Sequence, residues 1–131
     1  IGKSMTLARL GWQLQANGAT TSASISFPDY RAVFHYQNGI VGLQTYGDTE
    51  DLVNSGLNEF LNQNCEIIAI ASKSYGATVD LLVEFASNNH YRLIWAKPYE
   101  SWDGSITAND IKNYSASHIR RMIDDIISGT L

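Results

Sequence analysis

Cys65 is the single cysteine in the chain, so no intramolecular disulfide can form. A disulfide-stapled secreted scaffold is thereby excluded, and a reducing cytoplasm is the expected compartment. The N-terminus lacks the ordered basic, apolar and cleavage regions of a signal peptide. No apolar run approaches the ~20 residues of a membrane helix, so no membrane association is expected. Charge is scarce too: 17% of residues are charged, below the ~25% usual for soluble domains. Nine Lys and Arg against thirteen Asp and Glu leave a net charge of −4. A chain without clustered basic residues makes a poor nucleic-acid binder, because phosphates must be neutralised by Lys and Arg.

What is present suits a folded domain. The 131 residues fall within the span of one domain, 1–131, and 44% of them are hydrophobic. Disorder would need fewer apolar residues and more net charge. Seven Tyr, four Phe and three Trp stand beside many Asn, Ser, Thr and Gln. Such a weakly ionic, aromatic-rich composition fits an interface, and equally a monomer that keeps its aromatics in its core.

Periodicity sets out the elements. Leu7, Leu10, Gly11 and Leu14 have helical spacing within residues 4–17, and Gly18 offers a C-terminal stop. Ala23, Ile25 and Phe27 alternate with serines, predicting a strand that ends in a turn at Phe27, Pro28, Asp29 and Tyr30. Residues 31–37 and 40–46 flank Asn38 and Gly39, a strong hairpin signal. A two-residue loop there sets Phe34 opposite Leu43 and Tyr36 opposite Val41, with His35 opposite Gly42 and Arg31 opposite Tyr46 on the other face. Asp48 or Thr49 caps a second helix whose stripe is Leu52, Val53, Leu57, Phe60 and Leu61.

Residues 67–71 form a continuous apolar run, expected as a central strand covered on both faces. Val79, Leu81, Val83 and Phe85, then Tyr91, Leu93 and Trp95, alternate as two further strands. A three-residue loop would pair Phe85 with Tyr91, and Glu84 with Arg92. Pro98 ends the last of these, and residues 99–105 are a loop. Thr107 caps a final helical stretch, which Ile111, Tyr114, His118, Ile119, Met122, Ile123, Ile126 and Ile127 carry to about Ser128, as one long helix or as two short ones broken near Ser115. The fold class expected is α+β: a mainly antiparallel sheet from two β meanders with three helices, in the order α-βββ-α-βββ-α. Short connections place the helices on one face or at the sheet's ends.

The usual chemical motifs are missing. Neither a P-loop nor a dinucleotide-binding glycine pattern occurs. His35, His90, His118 and Cys65 are too scattered for metal-ligand spacing, and no cofactor is expected. A metal-dependent nuclease reading starts from Pro28 and Asp29 with Asp80 and Glu84, and fails because Ala86 stands where a lysine is required. There is no nucleophile elbow. Cys65 beside Glu66 reads as an inert thiol, since a neighbouring carboxylate raises its pKa.

Two clusters remain. Arg31, Val33, His35, Gln44 and Tyr46 share the outer face of the hairpin, and His35 opposite Gly42 leaves a gap over bare backbone. The alternative is an ordinary solvated sheet face. Tyr99, Trp102 and Asp103 sit in the loop before the last helix, either as a recognition surface or as a plug over the core's edge. His90 reads as a solvated hairpin tip. Arg120 and Arg121, followed by Asp124 and Asp125, read as a solvated helix face.

The order of elements resembles two families, the small acidic chaperones of type III secretion and the roadblock-like dimerisation module. The resemblance covers that order alone, so no site residue is carried over. It implies dimerisation and protein binding. The leading expectation is a non-catalytic binding or regulatory domain, homodimeric, acting on a protein partner or small ligand through Arg31, His35, Gln44, Tyr46, Tyr99, Trp102 and Asp103. The first alternative is a small enzyme with His35 as general base and Asp29 or Asp103 as its acidic partner. The second is an acidic inhibitor or immunity-type protein presenting carboxylates to a basic target.

Overall fold

A computed structural model describes residues 2–25 and 29–131. Along them run α1 (Gly2–Ala16), β1 (Arg31–Tyr36), β2 (Gly39–Gln44), α2 (Glu50–Asn62), β3 (Ile67–Ile70), α3 (Ala77–Asn88) and α4 (Ala108–Ser128). The architecture is α+β, with four helices and a mixed three-stranded sheet ordered β1-β2-β3. β1 and β2 are antiparallel, whereas β2 and β3 are parallel.

Local chemistry explains where the helices stop and start. α1 ends where Gly18 adopts φ +100°. There the Ala19 N–H donates to the Leu14 carbonyl and Gly18 to Gln15, the pair of bonds that closes a Schellman ending. Thr49, not Asp48, caps α2, its hydroxyl accepting from the Leu52 N–H at 3.2 Å. Thr107 caps α4 in the same way through the Asp110 N–H. α4 then runs unbroken to Gly129, which takes the left-handed conformation.

Helices cover both faces of the sheet, not one face or its ends. On the first, Leu7, Leu10 and Leu14 of α1 and Ala116 and Ile123 of α4 pack with Phe34, Tyr36, Val41 and Leu43. On the second, Val53 and Leu57 of α2 meet Leu82 of α3 over Ile68 and Ile70. The alternation of β3 divides the two cores, with Ile67 and Ala69 facing the first and Ile68 and Ile70 the second.

Four expectations are corrected. No strand forms over the described part of residues 22–27, that is 22–25: Ala23 and Ile25 pack on the first core from irregular backbone, and the bridge Thr20–His35 is what the described residues of that region add to the sheet. The turn at Phe27 and Pro28 lies outside the described residues. The hairpin turns one residue earlier, through Gln37 (φ +53°) and Asn38, pairing Phe34 with Val41 and His35 with Ile40. Its register therefore moves by two, which preserves the face of every side chain.

β3 lies at an edge instead of the centre. The second meander is absent. Residues 79–85 belong to α3, because Thr78, Leu82 and Ala86 are buried at a spacing of four while Asp80, Val83, Glu84 and Ser87 form one exposed stripe. Residues 91–98 are irregular. His90 is not a hairpin tip but the residue just past the α3 cap, at φ +61°, with Tyr91 N–H reaching back to the Ala86 carbonyl.

Candidate functional site

Arg31 and Gln44 are register partners, so their side chains share the face of the sheet that α2 covers. The Arg31 Nε–H donates to Gln44 Oε1 at 2.6 Å. The Gln44 amide donates in turn to the carbonyls of Tyr46 (2.9 Å) and Leu52 (3.1 Å). Gln44 is 0% exposed and uses its oxygen and both amide protons, which leaves nothing to offer a ligand. Arg31 also reaches Ser55 and Glu59 of α2 and lies over the Tyr46 ring. This part of the expected site is a clamp holding α2 to the sheet.

His35 does not join it. The side chain is exposed at the far end of β1, and its partner is Ile40, not Gly42. The bare backbone of Gly42 is covered by the Phe60 ring, which a Cβ there would meet at 2.6 Å. Asp29 lies six positions before His35, on the order of 20 Å away at the rise of a strand. Its carboxylate accepts from the Thr45 hydroxyl instead.

Tyr99, Trp102 and Asp103 stand at the approach to α4. Tyr99 stacks on His118, the Tyr99 hydroxyl and His118 Nδ1 being 2.5 Å apart, and the Tyr99 N–H donates to Ser115 Oγ. Asp103 accepts from the Ser105 N–H and hydroxyl, which holds its carboxyl below the usual range. Trp102 is 97% exposed, so it plugs nothing. Asp80 and Glu84 are solvated on α3, far from any strand role in a nuclease. Burial, and then the Glu59 charge, push the Cys65 thiol up to about 11, leaving it protonated and unreactive at neutral pH.

A deep concavity lies elsewhere. A cleft of about 820 Å³ runs along the open edge of β3, between α3 on one layer and α1 and α4 on the other. Ile68, Ile70, Leu82, Phe85, Met122 and Ile126 give it apolar walls. Lys3, Lys73, Arg92 and Lys97 stand around it, with Glu66 as its one acidic residue. Four of the nine cationic side chains and one of the thirteen acidic ones thus line a single cleft. It carries +3 in a chain of net charge −4.

One end of the cleft is polar. Lys3, Ser4, Ser72 and Lys73, together with Asp48, surround a smaller hollow beyond the last residues of β2 and β3, with Lys3 Nζ donating to the Ser72 carbonyl. The carboxyl ends of parallel strands are where open α/β sheets take ligands. Thr6, in the first turns of α1, also lines the cleft; it is 1% exposed and its hydroxyl has no partner among the described residues. A buried, unpaired hydroxyl is costly unless something satisfies it.

No family model, curated protein or solved structure matches this chain. The observed order also departs from the helix–three-strand–helix–sheet–helix layout behind the two resemblances. No group of three or more metal-ligating side chains occurs among the described residues, and no helix there is long and apolar enough to cross a membrane.

Sequence reasoning missed the cleft because its cations come from three separate stretches. Lys3 opens α1, Lys73 follows β3, and Arg92 and Lys97 bracket an apolar run. The one signal available was that bracketed run, with cations on both sides and no acid inside it.

Proposed function

We propose that this chain is a non-catalytic binding domain for a small anionic ligand with an apolar body, held in the cleft beside β3. One observation carries the reading: an acidic chain gathers four of its nine cations, and one of its thirteen acids, around one apolar hollow. A cleft lined by one sign of charge concentrates ligands of the other. A few polar groups fix orientation while apolar walls supply the affinity.

The anionic head goes to the polar end, between Lys3 and Lys73. There the N-terminal turn of α1 adds a favourable dipole, while the Thr6 hydroxyl, without a partner among the described residues, lines the adjoining apolar cleft. The apolar body lies along Ile68, Ile70 and Met122.

Calorimetric titration with decyl phosphate, below its critical micelle concentration, tests the reading. Saturable binding is expected, weakened at least tenfold in the double variant Lys3→Glu, Lys73→Glu, or about 1.4 kcal/mol. Equal binding of decyltrimethylammonium, or an unchanged affinity in the double variant, would overturn it.

A further inference from the structure

The cleft has the dimensions and the walls of a missing strand. Helices stand on both sides of the sheet, but the sheet stops at β3, and past that edge α3 and α4 face each other across open space. Edge strands with free N–H and C=O groups invite a further strand. All four residues of β3 are only partly buried, although their sequence, Ile-Ile-Ala-Ile, is that of a strand covered on every side.

The chain carries a candidate for that place. Residues 91–96 read Tyr-Arg-Leu-Ile-Trp-Ala, strongly β-forming, yet Arg92, Leu93, Ile94, Trp95 and Ala96 are all exposed. None of those five residues makes a backbone–backbone hydrogen bond to any described residue. They line the cleft on its open side. Their first residue is already anchored: the Tyr91 hydroxyl donates to the Cys65 carbonyl, just ahead of β3, and the Tyr91 ring stacks on Phe85.

That anchor fixes direction, and the strand itself begins at Arg92, since the Tyr91 ring turns to Phe85 in the layer of α3. The chain leaves β3 at its C-terminal end, returns through α3 and arrives beside its N-terminal end, so a strand starting there runs parallel to β3. Residues 71–90 are long enough for the crossover a parallel pair requires. With Tyr91 beside Cys65, Leu93 falls beside Ile67, Ile94 beside Ile68, Trp95 beside Ala69 and Ala96 beside Ile70, which covers all of β3. Leu93 and Trp95 then face the core of α1 and α4, and Ile94 faces that of α3, as Ile67, Ala69 and Ile68 do. Arg92 comes beside Glu66, an opposite-charge pair.

We propose that residues 92–96, just past the Tyr91 anchor, form a fourth strand that inserts parallel to β3 and fills the cleft. The open arrangement and the inserted one are two states of the protein, and a ligand in the cleft competes with the strand. The competition rests on the binding reading above; the strand itself does not.

Amide hydrogen exchange on the whole chain, with and without decyl phosphate, tests both. Amides of residues 92–96 are expected to exchange at least tenfold more slowly than in a free peptide, and to lose that protection as the probe saturates. A second measurement uses Ile67→Cys with Leu93→Cys in a Cys65→Ser background. Neighbouring strands lie about 4.8 Å apart, within disulfide reach, so mild oxidation should join the two and abolish probe binding. Peptide-like exchange together with no cross-link would overturn the strand, whatever the cleft binds. Protection and cross-linking with no probe binding would leave the strand standing and remove the ligand reading. Probe binding that leaves the protection intact would overturn the competition.

Discussion

Gln44 shows how a residue can look functional and be structural. Polar, next to an arginine and on a sheet face, it has the composition of a binding site. Its three hydrogen bonds, to Arg31 and to the carbonyls of Tyr46 and Leu52, are all spent inside the protein. Removing one partner of a buried network leaves the others unsatisfied, which costs more than the bond itself contributed. Gln44→Ala should lower stability by about 2 kcal/mol, read from urea midpoints. A loss below ~0.5 kcal/mol would show that water enters and satisfies the carbonyls. The sequence placed Arg31, Gln44 and Tyr46 together, and they are together. It could not reveal that α2 lies over them, because that depends on Gly56, where any Cβ would run into the Gln44 side chain.

At the scale of elements, α2 and the hairpin meet through a second close approach. Gly42 lies under the Phe60 ring, so the gap expected above His35's face is packed, not open. Gly42→Ala should force Phe60 aside and cost about 1–3 kcal/mol, again as a shift in urea midpoint with an unchanged slope. A neutral substitution there would mean that the ring moves freely. The caps at Thr49 and Thr107 were legible because N-capping is local chemistry between residues three apart. α3 was not, because Val79, Leu81, Val83 and Phe85 satisfy a period of two while Thr78, Leu82 and Ala86 satisfy a helical one. The tie is broken by tertiary packing: as a helix the segment lays Leu82 against Val53 and Leu57 of α2, over Ile68 and Ile70.

For the molecule as a whole, burial of phenols gives a pH limit. Tyr30, Tyr36 and Tyr91 all have pKa values raised above the ordinary 10, first of all by desolvation. Tyr30 also donates to the Ala8 carbonyl at 2.9 Å. The fold favours the neutral phenol, so unfolding binds fewer protons once the unfolded chain ionises. The stabilisation is therefore complete below pH 10 and lost as pH rises above 10 toward the folded values. Urea midpoints measured from pH 8 to 11 should hold level and then fall, and Tyr30→Phe should fall less steeply. A curve level to pH 11 would contradict the burial of these hydroxyls.

Sequence by itself determined what depends on neighbours within a few residues. Helix caps and the side-chain faces of the hairpin follow from local spacing and chemistry, whereas the inertness of Cys65 comes first from burial and then from Glu59, not from its neighbour Glu66. The mixed direction of the sheet, the choice of helix over strand at α3 and the edge position of β3 were decided by tertiary structure, since each turns on which distant segment arrives alongside. The cleft belongs to that second group. Lys3, Lys73, Arg92 and Lys97 meet only once the chain has crossed the sheet twice, and charge, unlike apolar periodicity, leaves no local trace of where it will converge.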